Sequence, residues 1–365
     1  MARRSFSDAL AISFVTHDVQ LSRLQADHRR TLLKSLRTLE QKLVTAIATQ
    51  TDGATFTAAR SRALLKVVRV LVTQQYDRLQ QIHGRVLLDL ADYESRAIPN
   101  LLNADIRVPL FSVGLPQTAL TSLVSNDTVV GVPLKSFWNQ QRVGFINRFT
   151  TAMRAGLFAG ETTHQLIQRV RGTKARNFQD GLMQTSRVGA EVLVRTAAQS
   201  VVNDIRMKLY QEHGHLLKGV QAHVTLDQRT SEICIARSGE SWDLEGQPLG
   251  KTNEPFPGPP PWHPNCRSTL LPILKTFGEL AGDPELDREA KKRLKGIPNS
   301  TQESMNGQVA GDLTYEQWLK TQPESVQLDV LGPGRLKLWK AKKISLRDLI
   351  DQRGNPLTLK ELRGS

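Results

Sequence analysis

The sequence predicts a mainly α protein with a small α+β module towards its C-terminus. Two observations carry that expectation. Apolar residues recur every three or four positions through most of the first 210 residues, the period of an amphipathic helix. At Leu217 the period shortens to two, and a loop rich in proline follows, holding Cys266, one of the chain's two cysteines, and His263.

The helical part begins with Leu21, Leu24, His28, Leu32, Leu36, Leu39, Leu43 and Ile47, one stripe on one face. Thr51-Asp52-Gly53 interrupts it, and Val68, Val72, Leu79, Ile82, Val86 and Leu90 form a second stripe. The pair reads as a long helical hairpin or part of a bundle. Its outer positions carry Arg60, Arg62, Lys66, Arg69, Arg78 and Arg85, most of which read as a solvated polar face. From Pro99 to Pro133 four prolines punctuate short apolar runs, which predicts a loop-rich connector. Trp138, Phe145, Phe149, Met153 and Leu157 then restore the helical period, closed by Gly160. Thr162 with Gln165 reads as a capping box opening a helix that ends near Gly172. A further helix runs from about Leu182 to Tyr210, with Val192, Thr196, Val201, Ile205 and Leu209 inward.

In the module, Val220, Ala222, Val224 and Leu226 alternate with Gln221, His223 and Thr225, as in a half-buried strand ending at Asp227. The stretch DQRTSEIC reads as strand and turn. Eight prolines lie between Pro248 and Pro272. Lys275 to Gly296 reads as a short charged helix ending in KKRLK, and NSTQESMNGQVAGDLT as a polar surface segment. Thr314 with Gln317 is a second capping box, and Trp339 anchors one or two short helices beyond it. The domain boundaries expected are a helical N-terminal region with its connector at 1–134, a central domain at 135–300 and a C-terminal tail at 301–365.

Composition narrows the function. Of 365 residues, 49 are Lys or Arg and 35 Asp or Glu, a formal charge of +14 with a pI near 10.0. That balance suits polyanionic partners. Aromatics are only 5%, so a stacking groove for single strands has little support, and contacts to nucleic acid would be mainly to phosphate. No apolar run reaches the ~18 residues of a membrane span. The start, MARRSFSDALAISFV, has two arginines, but Ser7, Asp8 and Ser13 break its apolar stretch, so no signal peptide is expected. Synthesis in a cytosol follows, where a structural disulfide is unusual.

The chemistry-bearing residues cluster around PPPWHPNCRST, Pro259 to Thr269. His263 and Cys266 have the H-x-x-C spacing of two ligands of one metal. Cys234 is the third candidate, with Asp227 or His223 as a fourth, a set that suits zinc. A metal clip would close the long loop between Cys234 and His263, with the prolines pre-setting the ligand loop. Two other readings stay open: buried thiols with a hydrogen-bonded His263, or a disulfide once the protein leaves a reducing compartment. A nucleophilic Cys266 with His263 as base needs the two within ~3 Å, and no oxyanion-hole loop is evident. An open zinc position could serve phosphodiester hydrolysis, with Asp227 or Glu240 as base. The sequence has no P-loop, GxGxxG, HExxH or GxSxG motif.

The stretch TLDQRTSEICIARSGESW followed by PPPWHPNCRSTLLPI resembles the signature of the phage Mu protein F-like minor head proteins of the head-morphogenesis family. The matching residues are Asp227, Thr230, Cys234, Gly239, His263, Pro264, Cys266 and Arg267. The preceding LFAGETTHQLIQRVRG and LVRTAAQSVVNDIR, and the tail from Thr314, are similar too, so the resemblance spans about 132–362. Two departures are visible: Ser268 stands where many members have a second Cys, and Ala236-Arg237-Ser238-Gly239 replaces the usual approach to the glycine. Neither removes a candidate ligand. The resemblance implies a virion structural protein and not an enzyme. It implies association with the portal vertex and with other head or neck proteins, in the capsid interior or neck. It also implies roles in head assembly, DNA packaging or genome ejection, with host-cytoplasmic assembly, an oligomeric state and packaged double-stranded DNA as a partner. Cys234, His263 and Cys266 would be a structural zinc clip with Asp227 completing it or holding the turn, and Arg229 and Arg267 would contact phosphate or orient a carboxylate. The alternative is a metal-dependent nuclease or DNA-binding protein acting on packaged DNA.

Overall fold

The computed structural model describes residues 6–51, 57–106, 109–126, 128–129, 132–283, 285, 288, 301–305, 307–310 and 313–364. Long helices dominate the first 212 residues: α1 (Phe6–Thr51), α2 (Ala58–Ile106), α3 (Gln117–Asn126), α4 (Leu134–Phe158), α5 (Thr163–Arg171) and α6 (Leu182–Glu212). A two-residue pair, β1 (Thr128–Val129) and β2 (Val132–Pro133), precedes α4. Then come β3 (Leu217–His223), α7 (Glu232–Ala236), β4 (Ser241–Trp242), β5 (Pro248–Leu249), β6 (Thr269–Leu274) and α8 (Phe277–Ala281). The described chain ends with β7 (Thr301–Ser304), β8 (Gly307–Ala310), α9 (Tyr315–Lys320), α10 (Glu324–Lys340) and α11 (Glu361–Gly364). The mainly α architecture with a small β module is as the two periods predict. Two compact units result, each assembled from separate stretches of chain: a helical unit of residues 22–89 and 124–198, and a sheet unit of residues 1–21, 90–123 and 199–365.

In the helical unit the predicted stripes are the core. Leu32, Leu36, Leu39, Leu43 and Ile47 of α1, Val68, Val72 and Leu79 of α2, and Trp138, Phe145, Phe149 and Met153 of α4 are all buried. Four stripe positions are not core: Ile82, Val86 and Leu157 are half-buried, and Leu24 is 46% exposed. The capping box of α5 forms as read: Thr162 Oγ1 accepts from the Gln165 amide, and the Gln165 side chain accepts from the Thr162 amide at 2.8 Å. Buried Glu40 accepts from Arg171 Nε at 3.1 Å and also pairs with Arg187, so its charge is compensated where α1 runs deep.

In the sheet unit the connector begins later than the prolines suggest, because α2 continues through Pro99 to Ile106. A proline there lacks the N–H that would bond the Ser95 carbonyl, a loss that breaks most helices. Here the Gly114 amide supplies the missing donor to Ser95 at 3.1 Å, so the carbonyl is not orphaned. The sheet has the order β5-β4-β3-β6, all antiparallel. Val220 and Ala222 point into the core, as the alternation predicts, and Val224 and Leu226 stay buried although the ladder stops at His223. Gly219 is required by packing, because a Cβ there would sit 2.0 Å from the Trp242 carbonyl oxygen.

Three local readings change in the structure. DQRTSEIC forms a turn and the short helix α7, not an extended strand, because Ser231 caps it by accepting from the Cys234 amide. Part of the polar segment after residue 300 is a hairpin, β7–β8, whose Ser304 bridges Leu226 and whose Met305 amide donates to the Leu226 carbonyl at 3.0 Å. The expected charged helix opens with the five-residue α8, Phe277–Ala281, is interrupted at Gly282, and is helical again at Glu285 and Arg288, while its KKRLK end at 291–295 lies outside the described residues. Beneath the sheet, Arg206 and Glu94 are both fully buried. Arg206 donates to Glu94 at 2.5 Å, to Asp18 at 2.8 Å and to Thr269 at 2.5 Å, and His17 Nε2 lies 2.6 Å from the other Glu94 oxygen. The helical period of α6 marks Arg206 only as a polar interruption. Its three partners lie 63 to 188 residues away.

Candidate metal centre

Cys234 sits on α7, where the Ser231 cap fixes the first turn and aims the thiol inward. His263 and Cys266 lie on the proline-rich loop, in a turn closed by the Cys266 amide donating to the His263 carbonyl at 3.1 Å. The loop is braced nearby by Trp262, whose Nε1 donates to the Gly258 carbonyl at 3.0 Å and whose ring lies 4.8 Å beneath the Arg237 guanidinium. Cys234, His263 and Cys266 converge: one ligand atom from each falls within 4.8 Å of the others. Cys234 Sγ is 3.1 Å from His263 Nε2 and 3.7 Å from Cys266 Sγ, and both cysteines are buried free thiols.

The second nitrogen of the imidazole completes the geometry. His263 Nδ1 lies 2.8 Å from the Pro264 carbonyl oxygen, which can only accept, so Nδ1 carries the proton and Nε2 faces the thiols. Backbone hydrogen bonding of the distal nitrogen is the usual support of a metal-bound histidine. The electrostatics are those of a shared proton. The hydrogen bond from Cys234 holds the Cys266 thiol well below its ordinary value, with His263 adding to the effect. The same contact, together with burial, pushes the Cys234 thiol well above. His263 is raised despite burial, because it faces Cys266.

These dimensions fit zinc. At Zn–S of about 2.3 Å and Zn–N of about 2.0–2.1 Å, tetrahedral angles put two thiolates about 3.8 Å apart and a thiolate and an imidazole nitrogen about 3.5 Å apart. The sulfurs already have that spacing, and the ring needs to retreat by only about 0.4 Å. No fourth Cys, His, Asp or Glu joins the group among the described residues.

Asp227 has a different task. Its Oδ1 and Oδ2 accept from the two terminal nitrogens of Arg267 at 2.7 and 2.6 Å, a bidentate pair. Oδ1 also accepts from the Arg229 amide at 2.9 Å. Burial works against this charge, but Arg267 holds the carboxyl below its ordinary value. Thr230 donates to the Thr225 carbonyl at 2.5 Å, and Tyr315 donates to the Asp227 carbonyl at 2.7 Å. Asp227, Thr230 and Arg267 thus lock the turn after β3 to the ligand loop. Of the two candidate arginines, Arg267 orients a carboxylate, whereas the Arg229 side chain is 87% exposed and only skirts Asp227 at 3.9 Å. His223 pairs with Thr269 across the sheet and is not in the group. Buried Glu240 forms an ion pair with Arg347 at 2.6 Å. Gly239 holds φ +78° as its amide donates to Ala222 at 3.1 Å, a conformation that favours glycine.

The tail supplies what local reading missed. Tyr315, Trp318, Leu331, Leu336 and Trp339 pack in one cluster with Cys234, Ile235 and Cys266. The only sequence signals for that packing were the Thr314 capping box and the anchoring tryptophan, and neither says what the tail packs against.

Comparison with known proteins agrees with the signature. No curated protein and no solved structure matches the chain. Residues 147–271, which contain all the signature residues from Asp227 to Arg267, match the family described as phage Mu protein F like protein. Over that segment, about a third of the chain, the sequence is similar to the phage Mu protein F-like family, which supports the resemblance read from the signature.

Proposed function

We propose that this chain is a phage head-morphogenesis protein, a minor structural component of the virion. The observation that carries the reading is the family match at 147–271 together with the assembled signature residues. In this reading it associates with the portal vertex and other head or neck proteins, in several copies. It supports head assembly, DNA packaging or genome ejection after assembly in the host cytoplasm. The sequence-level division into 1–134, 135–300 and 301–365 then separates an N-terminal partner-binding region from the family domain and its tail.

Cys234, His263 and Cys266 act as a structural zinc clip, with a water or a group from a partner as fourth ligand. Asp227 and Arg267 brace the clip from outside. The reading is non-enzymatic, and what supports it is that the two carboxylates singled out as general bases are ion-paired, Asp227 to Arg267 and Glu240 to Arg347. The test is quantitative mass spectrometry of purified phage heads, with electron microscopy of heads made without this chain. The chain recovered at few copies per head, and defective or empty heads in its absence, is the expected result. Heads that lack the chain and assemble, package and infect normally would refute it.

The three-ligand group favours one further reading, a metal-dependent nuclease, because catalytic zinc sites hold three protein ligands and an open position. Zinc-loaded protein that cleaves duplex DNA, with cleavage abolished by Cys266→Ser in a folded variant, would replace the structural reading.

A further inference from the structure

The chain's positive charge is not spread over it. The helical unit, residues 22–89 and 124–198, contains 22 Lys and Arg against 9 Asp and Glu, a net +13. The remaining 222 residues contain 27 against 26, a net +1. An even distribution would have given the helical unit about +5. The sheet unit, which holds the Cys/His group, is therefore electrically near neutral.

The excess lies on the surface. Of the nine acids in the helical unit, Asp27, Glu40, Asp77, Glu161 and Glu191 are each engaged by an arginine of the same unit. Arg23, Lys34 and Arg37 of α1 and Arg62, Lys66 and Arg69 of α2 are exposed and have no carboxylate partner among the described residues. On α1 the three fall within about 60° of one another around the helix, and 14 residues at about 1.5 Å each make a stripe about 21 Å long. On α2 the spacing i, i+4, i+7 again puts three cations on one face. Rows of this length match a duplex, which offers a phosphate every ~1.7 Å of axis, better than a single anionic group. Base stacking is not available along these rows, because Tyr76, Trp138, Phe145 and Phe149 are buried in the core of the unit.

We infer that the helical unit, through Arg23, Lys34 and Arg37 on α1 and Arg62, Lys66 and Arg69 on α2, is a sequence-independent binding surface for the phosphate backbone of double-stranded DNA, and that the sheet unit takes no substantial part. The choice of duplex DNA rests on the head-protein reading; the location of the surface rests on the charge distribution alone.

The test is fluorescence anisotropy of the full chain on a 30-base-pair duplex of arbitrary sequence, from 50 to 200 mM KCl. One variant carries Arg23, Lys34, Arg37, Arg62, Lys66 and Arg69 all replaced by Gln. A charge-matched control carries Lys251, Lys337, Lys342, Lys343, Arg353 and Lys360 replaced by Gln. Each phosphate contact contributes about 0.9 to the slope of log K against log salt. The first variant is expected to flatten the slope by about 3 or more, and the control by less than about 1, with circular dichroism melts confirming that both fold. Equal losses in the two variants would overturn the location. No duplex binding by the parent chain at 50 mM salt, or tighter binding to an acidic polypeptide than to DNA, would overturn the partner. Recovery of the chain in heads is measured separately, so a chain absent from heads that still shows the slope difference refutes the head reading and leaves the surface standing.

Discussion

Removing zinc from the clip should destabilise the sheet unit far more than the helical unit, by an amount that follows from the geometry. The three candidate ligands join α7 to a loop 29 residues further on, and both sulfurs are buried. Without metal, two thiols and an imidazole face one another with one hydrogen-bond pattern to share. With metal at a free concentration about a thousand times its Kd, binding to the folded state alone adds about 4 kcal/mol. A unit of this size shifts its Tm by about 2–4 °C per kcal/mol, so the unit should melt about 8–16 °C lower after chelation. The assay is differential scanning calorimetry of reduced protein, zinc-loaded and chelated, beside Cys266→Ser, with zinc content by elemental mass spectrometry. One zinc per chain in the parent and none in the variant is the expected stoichiometry. If zinc at saturating concentration binds neither protein and leaves the melt unchanged, the clip does not exist and the three side chains are a hydrogen-bonded core cluster.

Other outcomes follow from the same contacts. Zinc affinity should fall as the pH is lowered through the raised His263 value, since protonated Nε2 must release its proton to bind metal, and competition titrations at pH 6 and pH 8 read this directly. Asp227→Asn removes a bidentate pair that is partly screened by solvent, so a loss of about 1–2 kcal/mol in urea unfolding is expected, with zinc stoichiometry retained. Retained stability would show that the turn holds without the pair. Arg206→Met leaves Glu94 buried and uncompensated and should cost about 3–5 kcal/mol, whereas Arg206→Met with Glu94→Leu should recover part of that loss. Gly219→Ala should cost several kcal/mol or prevent folding, because its Cβ would overlap the Trp242 carbonyl, as thermal denaturation would reveal.

The Cys234, His263 and Cys266 group, the helical stripes and both capping boxes were legible because each rests on residue type and local pattern. A periodic run of leucines has one way to bury its face, and H-x-x-C places two donors on one turn wherever the loop goes. For Asp227 the sequence left two roles open, a fourth ligand or a brace of the turn, and could not choose between them for the complementary reason. Proximity in sequence to Cys234 suggested coordination, but Arg267, 40 residues away, offers it two donors at 2.6 and 2.7 Å. Pro99 is a breaker by propensity, and only the Gly114 amide, brought back by the following loop, makes it tolerable inside a helix.

The sequence by itself determined the helical class, the module's strand period, the total charge and the identity of three converging donors, since these depend on residue type and short spacing. Tertiary structure alone decided that the tail roofs the Cys/His group, that Arg206 and Glu94 meet in the dark of the core, and that the charge divides +13 to +1 between two units woven from separate stretches. Each of those depends on which distant segments share a core. That is settled by the free energy of burying surface against whatever partner is nearest in space, and no window along the chain contains that information.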